Sequence, residues 1–264
     1  STRTLSIGAY NSVLIDVITI VFMFLASIHF GLIFISLVTR SIRPLRNPIL
    51  RAYVIMLLLG SFAGGFSLKL QGAVGTWGRA FLESTFQIVS YASTTGFAIA
   101  DNSSWPALPC FLLMLASLVC GCAGSTTGGM KVDRVLVLFR AIRRQTFRSL
   151  NPSSVSEIRL GATRIKDEDV YPQVLYVAQF FLLIVMSVIL CLFSGDPNGN
   201  ALNGSISCLG NVGPSLGSIG SLGNYNAEPS AMKFIFTMDM FLGRVEIYPV
   251  FVALSTIFHI RRKS

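Results

Sequence analysis

Charge is scarce in this chain. Of 264 residues only 12% are Asp, Glu, Lys or Arg, about half the share of an ordinary soluble domain, which argues against a surface wetted on all sides. Histidine is scarcer still. His29 and His259 are far apart and neither stands at a spacing that would activate a nucleophile, so nothing supports a hydrolase. The five cysteines (Cys110, Cys120, Cys122, Cys191 and Cys208) lie in or beside apolar segments, without the loop spacing of a disulfide framework. Cys120 and Cys122 lack the second cysteine pair or the histidines of a zinc site and read as small apolar filler. The glycine-rich stretch 121–129 is not a phosphate loop, because it lacks a preceding strand and the Gly-Lys-Ser/Thr ending. The polar residues from Ser1 to Thr4 carry no methionine and read as an internal start rather than a signal peptide.

What is abundant is apolar sequence in long runs. Hydrophobic residues make up 52% of the chain, and about 20 in a row suffice to cross a bilayer core. Five spans are expected: residues 13–39, 49–68, 106–130, 171–193 and 231–260. The net charge of +9 is distributed as membrane orientation requires, and no nucleic-acid partner is expected. Sixteen of 21 basic residues fall in three patches, at 40–51, 131–166 and 261–263. Each patch abuts the end of an apolar run and all three fall on one side if the spans alternate, as the positive-inside rule predicts.

Two stretches share one build: an apolar segment, a short semi-polar segment, a glycine turn, a polar lead-in, a proline and another apolar segment. The first turn is Ser93, Thr94, Thr95, Gly96 and Phe97, followed by Trp105 and Pro106. The second is Gly210, Asn211, Val212, Gly213 and Pro214, followed by Glu228 and Pro229. Residues 80–93 would make a helix of about 21 Å, too short to cross, so this segment is expected to dip into the bilayer and return. Irregular backbone at membrane depth is tolerated where it lines a water-filled path, and carbonyl rings are how cation filters replace a hydration shell. Helix C-termini aimed at the turns would favour a cation. The third span breaks at 121–129, four glycines in nine residues, and a mid-membrane break of this kind points to a transport path.

These residues resemble the Trk/Ktr/HKT superfamily of potassium transporters, and especially its bacterial Trk-type membrane subunits. The matching stretches are Ala92 to Phe97, Trp105 with Pro106, Gly121 to Lys131, Asn211 to Pro214, and Phe241 to Glu246. The resemblance implies an all-α integral membrane protein of helix–pore-loop–helix repeats, here with five transmembrane helices and two re-entrant pore helices. It implies an incomplete second repeat (1–48), a complete third (49–169) and a complete fourth (170–264), in the bacterial cytoplasmic (inner) membrane. K⁺ is the implied transported ion, with no covalently bound cofactor. The implied partners are membrane lipid, a second copy in a homodimer and a cytosolic nucleotide-binding regulatory subunit. Similar proteins usually carry three glycines in a row where this chain has Thr127, Gly128 and Gly129.

Residue by residue, the resemblance implies a selectivity filter at Thr94, Thr95, Gly96, Phe97, Asn211, Val212, Gly213 and Pro214. K⁺ would meet carbonyls of Thr94, Thr95, Gly96, Asn211, Val212 and Gly213. It implies an intramembrane gate at Gly121, Cys122, Ala123, Gly124, Ser125, Thr126, Thr127, Gly128 and Gly129, facing Arg244. An arginine in a membrane interior needs a partner or water, and Asp239 is the rival partner to the gate. Asp16, Glu83 and Asp101 read either as an outer cation funnel or as solvated surface. Sodium or weakly selective transport is the nearest rival function, since a serine in place of a filter glycine accompanies sodium transport in related plant proteins; both turns here keep glycine. From a different class come a non-conducting assembly subunit and a membrane enzyme, and the enzyme would need an acid or histidine pair at helical spacing.

Overall fold

The computed structural model describes residues 6–151, 158–160, 163–245, 247–250, 252, 253, 255 and 256; Glu246 and the basic residues Arg261, Arg262 and Lys263 lie outside them. The described chain is helical, apart from one short hairpin. In order, the helices are α1 (Val13–Ala26), α2 (Phe30–Val38), α3 (Pro48–Leu70), α4 (Trp77–Ala92), α5 (Ala107–Val119) and α6 (Val132–Leu150). After them come α7 (Asp167–Phe193), α8 (Ala201–Gly210) and α9 (Ser230–Val245).

The surface is inside out relative to a soluble protein. Phe22, Leu37, Leu58, Phe62 and Phe193 are all more than 60% exposed, an apolar belt that water would penalise and lipid accepts. The buried set mixes apolar residues with Ser84, Gln87, Ser90, Asn102, Ser205 and Ser207, and each of these polar side chains is hydrogen-bonded. Helix α4 is buried along most of its length, among α1, α3 and α5, and α8 lies among α5, α7 and α9. Two short, semi-polar helices are thus wrapped by apolar ones.

Helices α3 and α7 are each long and apolar enough to cross a membrane. Asn47 starts α3 by accepting the Ile49 N–H at 2.9 Å, with Pro48 at the first helical position, where a missing N–H costs nothing. The first and third expected spans are interrupted. The first bends by 95° at 27–29, where the sequence leads one to expect a continuous span over 13–39. The third stops at Val119, after 13 residues, and the chain resumes helical form only at Val132. Helix α9 is described over Ser230–Val245, and residues 247–250 are helical as well.

The bend at 27–29 has a local cause and a distant one. Ser27 Oγ donates to the Phe24 carbonyl at 2.6 Å, and His29 Nδ1 accepts the Gly31 N–H at 2.9 Å, capping the new helix. The main-chain groups freed by the break pair instead with the loop 120–131. Its Cys122 N–H donates to the Ser27 carbonyl at 3.0 Å, and the Phe30 N–H donates to the Gly124 carbonyl at 3.1 Å. Backbone polar groups in an apolar interior must find such partners.

Outside the apolar belt, α6 mixes basic and apolar residues along its length and continues from the loop. Between α6 and α7 the chain forms an antiparallel pair, β1 (Ile158–Leu160) and β2 (Thr163–Ile165), with Arg159 opposite Arg164. Its Ile158 is buried with Val137 of α6 and Val170 of α7. A three-residue strand among basic residues carries too little alternation to be read in advance.

Candidate ion path

The two glycine turns have the same geometry, bond for bond. At the end of α4 the Thr94 N–H donates to the Tyr91 carbonyl at 3.1 Å, and the Thr95 N–H to the Ser90 carbonyl at 3.0 Å. At the end of α8 the Asn211 N–H donates to the Cys208 carbonyl at 3.0 Å, and the Val212 N–H to the Ser207 carbonyl at 3.0 Å. Ser90 Oγ then reaches forward to the Phe97 carbonyl at 2.6 Å, and Ser207 Oγ to the Pro214 carbonyl at 2.7 Å. Each turn therefore leaves its helix through a left-handed residue, Thr94 (φ 52°) or Asn211 (φ 57°), and passes a second one at Gly96 (φ 73°) or Gly213 (φ 98°). Two residues apart on the left-handed side is a backbone for which glycine is the natural occupant.

The turns lie against each other. A Cβ placed on Gly96 would stand 2.6 Å from the Val212 carbonyl oxygen and 2.8 Å from Pro214 Cδ. Among the described residues no hydrogen bond reaches the carbonyls of Thr94, Thr95, Gly96, Asn211 or Val212. The Gly213 carbonyl differs, since Tyr225 Oη donates to it at 2.8 Å. Phe97 and Pro214, expected among the filter residues, have their carbonyls held by the serines and serve as the braced outer ends of the turns.

Immediately beneath lies the loop 120–131. Gly128 N–H donates to Thr94 Oγ1 at 3.2 Å, and a Cβ on Gly128 would stand 2.5 Å from the Gly210 carbonyl. The loop is held from several sides. Thr126 Oγ1 donates to the Ala26 carbonyl at 3.0 Å, Asp133 Oδ2 accepts the Ala123 N–H at 2.6 Å, and Ser125 Oγ bonds both the Cys122 carbonyl and Thr127 Oγ1. Gly121, Cys122, Thr127, Gly128 and Gly129 are buried, and Gly124 and Thr126 are exposed. Arg244 Nη1 donates to the Thr126 carbonyl at 2.9 Å. Asp239, the rival partner, is buried and accepts from Ser187 Oγ instead.

Several residues of this region are not singled out by sequence reasoning. Lys131 is buried, and its Nζ donates to the Thr127 carbonyl, pinning the loop's end. Ser90 and Ser207 stand seven residues before Phe97 and Pro214 in both repeats, and that shared spacing is the signal that could have found them. Asn102 and Tyr225 each stand four residues before the proline of their repeat. At its N-terminal end, α8 begins under two carboxylates. Asp196 Oδ2 accepts the Ala201 N–H at 2.8 Å, and Glu228 Oε1 accepts from Asn200 Nδ2 at 2.7 Å. Partial burial would raise the Asp196 carboxyl, but the backbone amides of residues 198–201 outweigh it and hold it below the usual range. Glu83 pairs with Arg79 at 2.7 Å, while Asp101 accepts the Ser103 N–H. Asp16 and Glu83 face one cavity beside the start of α4.

A family model described as TrkH, cation transport protein, matches residues 73–259. The Trk system potassium uptake protein TrkH of Halomonas elongata is 30% identical over 259 residues, covering 98% of this chain and 53% of that protein. The TrkH of Escherichia coli K12 is 28% identical over 263 residues, with the same coverage. The crystal structure of the potassium transporter TrkH from Vibrio parahaemolyticus superposes with a TM-score of 0.88 at 28% identity, covering 96% of this chain and 55% of that one. The chain thus spans about half the length of the curated relatives it matches. Its matched residues include both glycine turns, the broken loop and Arg244, and on that footing this membrane chain belongs to the TrkH family of cation transport proteins.

Proposed function

We propose that this chain supplies two adjoining quarters of a potassium-uptake pore. Residues 49–169 form one repeat and 170–264 the next, and 1–48 end a preceding one. The observation that carries this reading is the pair of matched glycine turns, in which Gly96 approaches the Val212 carbonyl and five carbonyls lack any hydrogen-bond donor among the described residues. Bare carbonyls at membrane depth are costly unless something cationic meets them. A K⁺ shedding part of its hydration shell is a fitting occupant for the carbonyls of Thr94, Thr95, Gly96, Asn211 and Val212. Helices α4 and α8 end at these turns, adding the negative ends of their dipoles. The names of the relatives, potassium uptake proteins, support the same ion. No covalent chemistry is involved, as befits a family of transport proteins.

The loop 121–129 acts as a gate below the turns. Arg244 holds it by the Thr126 carbonyl and adds a positive charge that raises the barrier to cations. The setting is the bacterial cytoplasmic membrane. The working assembly is a homodimer with a cytosolic nucleotide-binding subunit on the side of the basic segments. The test is uptake of radioactive rubidium into proteoliposomes holding the full-length parent protein, competed by K⁺ or by Na⁺. Displacement by K⁺ at far lower concentrations than Na⁺ is expected. Equal displacement would establish a weakly selective cation path instead, and no uptake would favour a non-conducting role.

A further inference from the structure

Behind the two turns, away from the bare carbonyls, lies a buried polar network that joins the repeats. Asn102 is at its centre and is 1% exposed. Its Nδ2 donates to Tyr91 Oη at 2.6 Å and to the Ser215 carbonyl at 3.0 Å, and its Oδ1 accepts the Ser221 N–H at 2.8 Å. Tyr91 Oη, also buried, donates to the same Ser215 carbonyl at 2.7 Å. Gln87 Nε2 extends the network, donating to the Ala100 carbonyl at 2.7 Å and to Ser221 Oγ at 3.3 Å. The amide of Asn102 thus uses both hydrogens and its oxygen, and the Ser215 carbonyl accepts twice, its full capacity. Gln87 Oε1 is buried without a partner among the described residues, but the group of Asn102, Tyr91 and the Ser215 carbonyl is satisfied and fixes one geometry, because a shift there leaves a buried polar group unpaired.

The positions it joins are telling. The Tyr91 carbonyl accepts the Thr94 N–H that begins the first turn. Ser215 follows Pro214, the last residue of the second turn. The network therefore links the start of one turn to the end of the other and sets how closely Gly96 approaches Val212. The repeats do not share this duty equally. Tyr225, four residues before its proline as Asn102 is before Pro106, bonds the Gly213 carbonyl within its own repeat.

We infer that Asn102, with Tyr91, is a specificity-determining clamp: it positions the two turns relative to each other, touches no ion, and holds the path at the width that favours K⁺ over Na⁺. The inference rests on the turns being the filter. It is tested in the full-length protein with Asn102→Leu, similar in size and without polar atoms, and with Tyr91→Phe, which removes one hydroxyl. Gly96→Ser runs in parallel as a direct filter variant. Rubidium uptake competed by K⁺ and Na⁺, with thermal midpoint and surface expression, is the readout.

Asn102→Leu is expected to lower K⁺-over-Na⁺ preference about tenfold, Tyr91→Phe by less, and the double variant by less than the product, since the two act through one carbonyl. A packing role alone would lower the thermal midpoint and leave the K⁺/Na⁺ ratio unchanged. Unchanged preference in folded Asn102→Leu and Tyr91→Phe overturns the clamp while Gly96→Ser, if it alters preference, leaves the filter standing. Unchanged preference in all three overturns both. Should Asn102→Leu fail to assemble, Tyr91→Phe decides: a folded variant with a lowered ratio supports the clamp, and one with the parental ratio refutes it.

Discussion

Gly96 and Gly213 are equivalent in the repeat but not in their surroundings, and alanine at each separates two costs. Both have positive φ, 73° and 98°, so a Cβ brings backbone strain of about 1–2 kcal/mol at either position. Thr94 and Asn211 already carry side chains in that region, so strain of this size does not prevent folding. The difference is steric. At Gly213 a Cβ would meet nothing within 4 Å among the described residues, whereas at Gly96 it meets the Val212 carbonyl oxygen at 2.6 Å. Ordinary contact begins at 3.4 Å, so that oxygen must retreat by about 0.8 Å, and it belongs to main chain rather than to a flexible side chain. Val212 is fixed by its N–H bond to Ser207, and Pro214 by the Ser207 hydroxyl, so the displacement falls on the carbonyls themselves. Gly96→Ala is expected to lower K⁺-over-Na⁺ preference tenfold or more, and Gly213→Ala by about fivefold at most, the equivalent of roughly 1 kcal/mol. Rubidium uptake competed by each ion in the full-length protein, normalised to surface expression, is the assay. Equal losses at the two glycines would show that backbone conformation alone governs the turns, and an unaltered Gly96→Ala would remove the case that they face each other across an ion path.

Arg244→Ala and deletion of Cys122 to Thr126 should each raise rubidium flux, with a double variant rising by less than their combined effect; lower flux in well-expressed forms of both would leave the loop a packing element. Cysteine at Arg46 or Arg148 should react with a membrane-impermeant maleimide only from the cytoplasmic side, and cysteine at Lys69 or Ser221 only from outside; one reversed site breaks the topology. Asp196 has a folded-state value below its ordinary 3.8, so its contribution to stability is present above that ordinary value and disappears as pH falls through the lower folded one. Asp196→Asn should therefore lower the thermal midpoint at neutral pH by a few degrees and converge with the parent in acid; a difference that persists below the folded value would assign the effect to packing.

The glycine turns were legible in the sequence because left-handed backbone has few substitutes for glycine, and because two copies could be compared. The break at 121–129 was legible for the same reason, since four glycines in nine residues cannot continue a helix stably. Arg244 beside the loop was implied by the family resemblance, and its hydrogen bond to the Thr126 carbonyl puts it there. The break at 27–29 was not legible: Ser27, Ile28 and His29 include neither glycine nor proline, and the bend is stabilised by hydrogen bonds to a loop about a hundred residues away. Local propensity carries no record of such a partner. The Asn102 network was hidden for a related reason, as its members come from three separate segments and only proximity makes them a set. The hairpin at 158–165 was missed because three residues per strand leave no period to detect.

The bonds between the broken first span and the loop have a mechanical consequence. They are main-chain bonds to residues about a hundred positions earlier in the chain, with Cys122 held by Ser27, Gly124 by Phe30 and Thr126 by Ala26. To swing aside, the loop must peel from that neighbour as a strand peels from a ladder, several bonds at once, at about 0.5–1.5 kcal/mol each. For the proposed gate, intermediate positions would lose some bonds without releasing the rest, which favours a catch with two settings over a hinge with a continuous range. The Thr126 hydroxyl adds a side-chain bond to the same Ala26 carbonyl, so main chain and side chain of the loop are fastened together to one helix end.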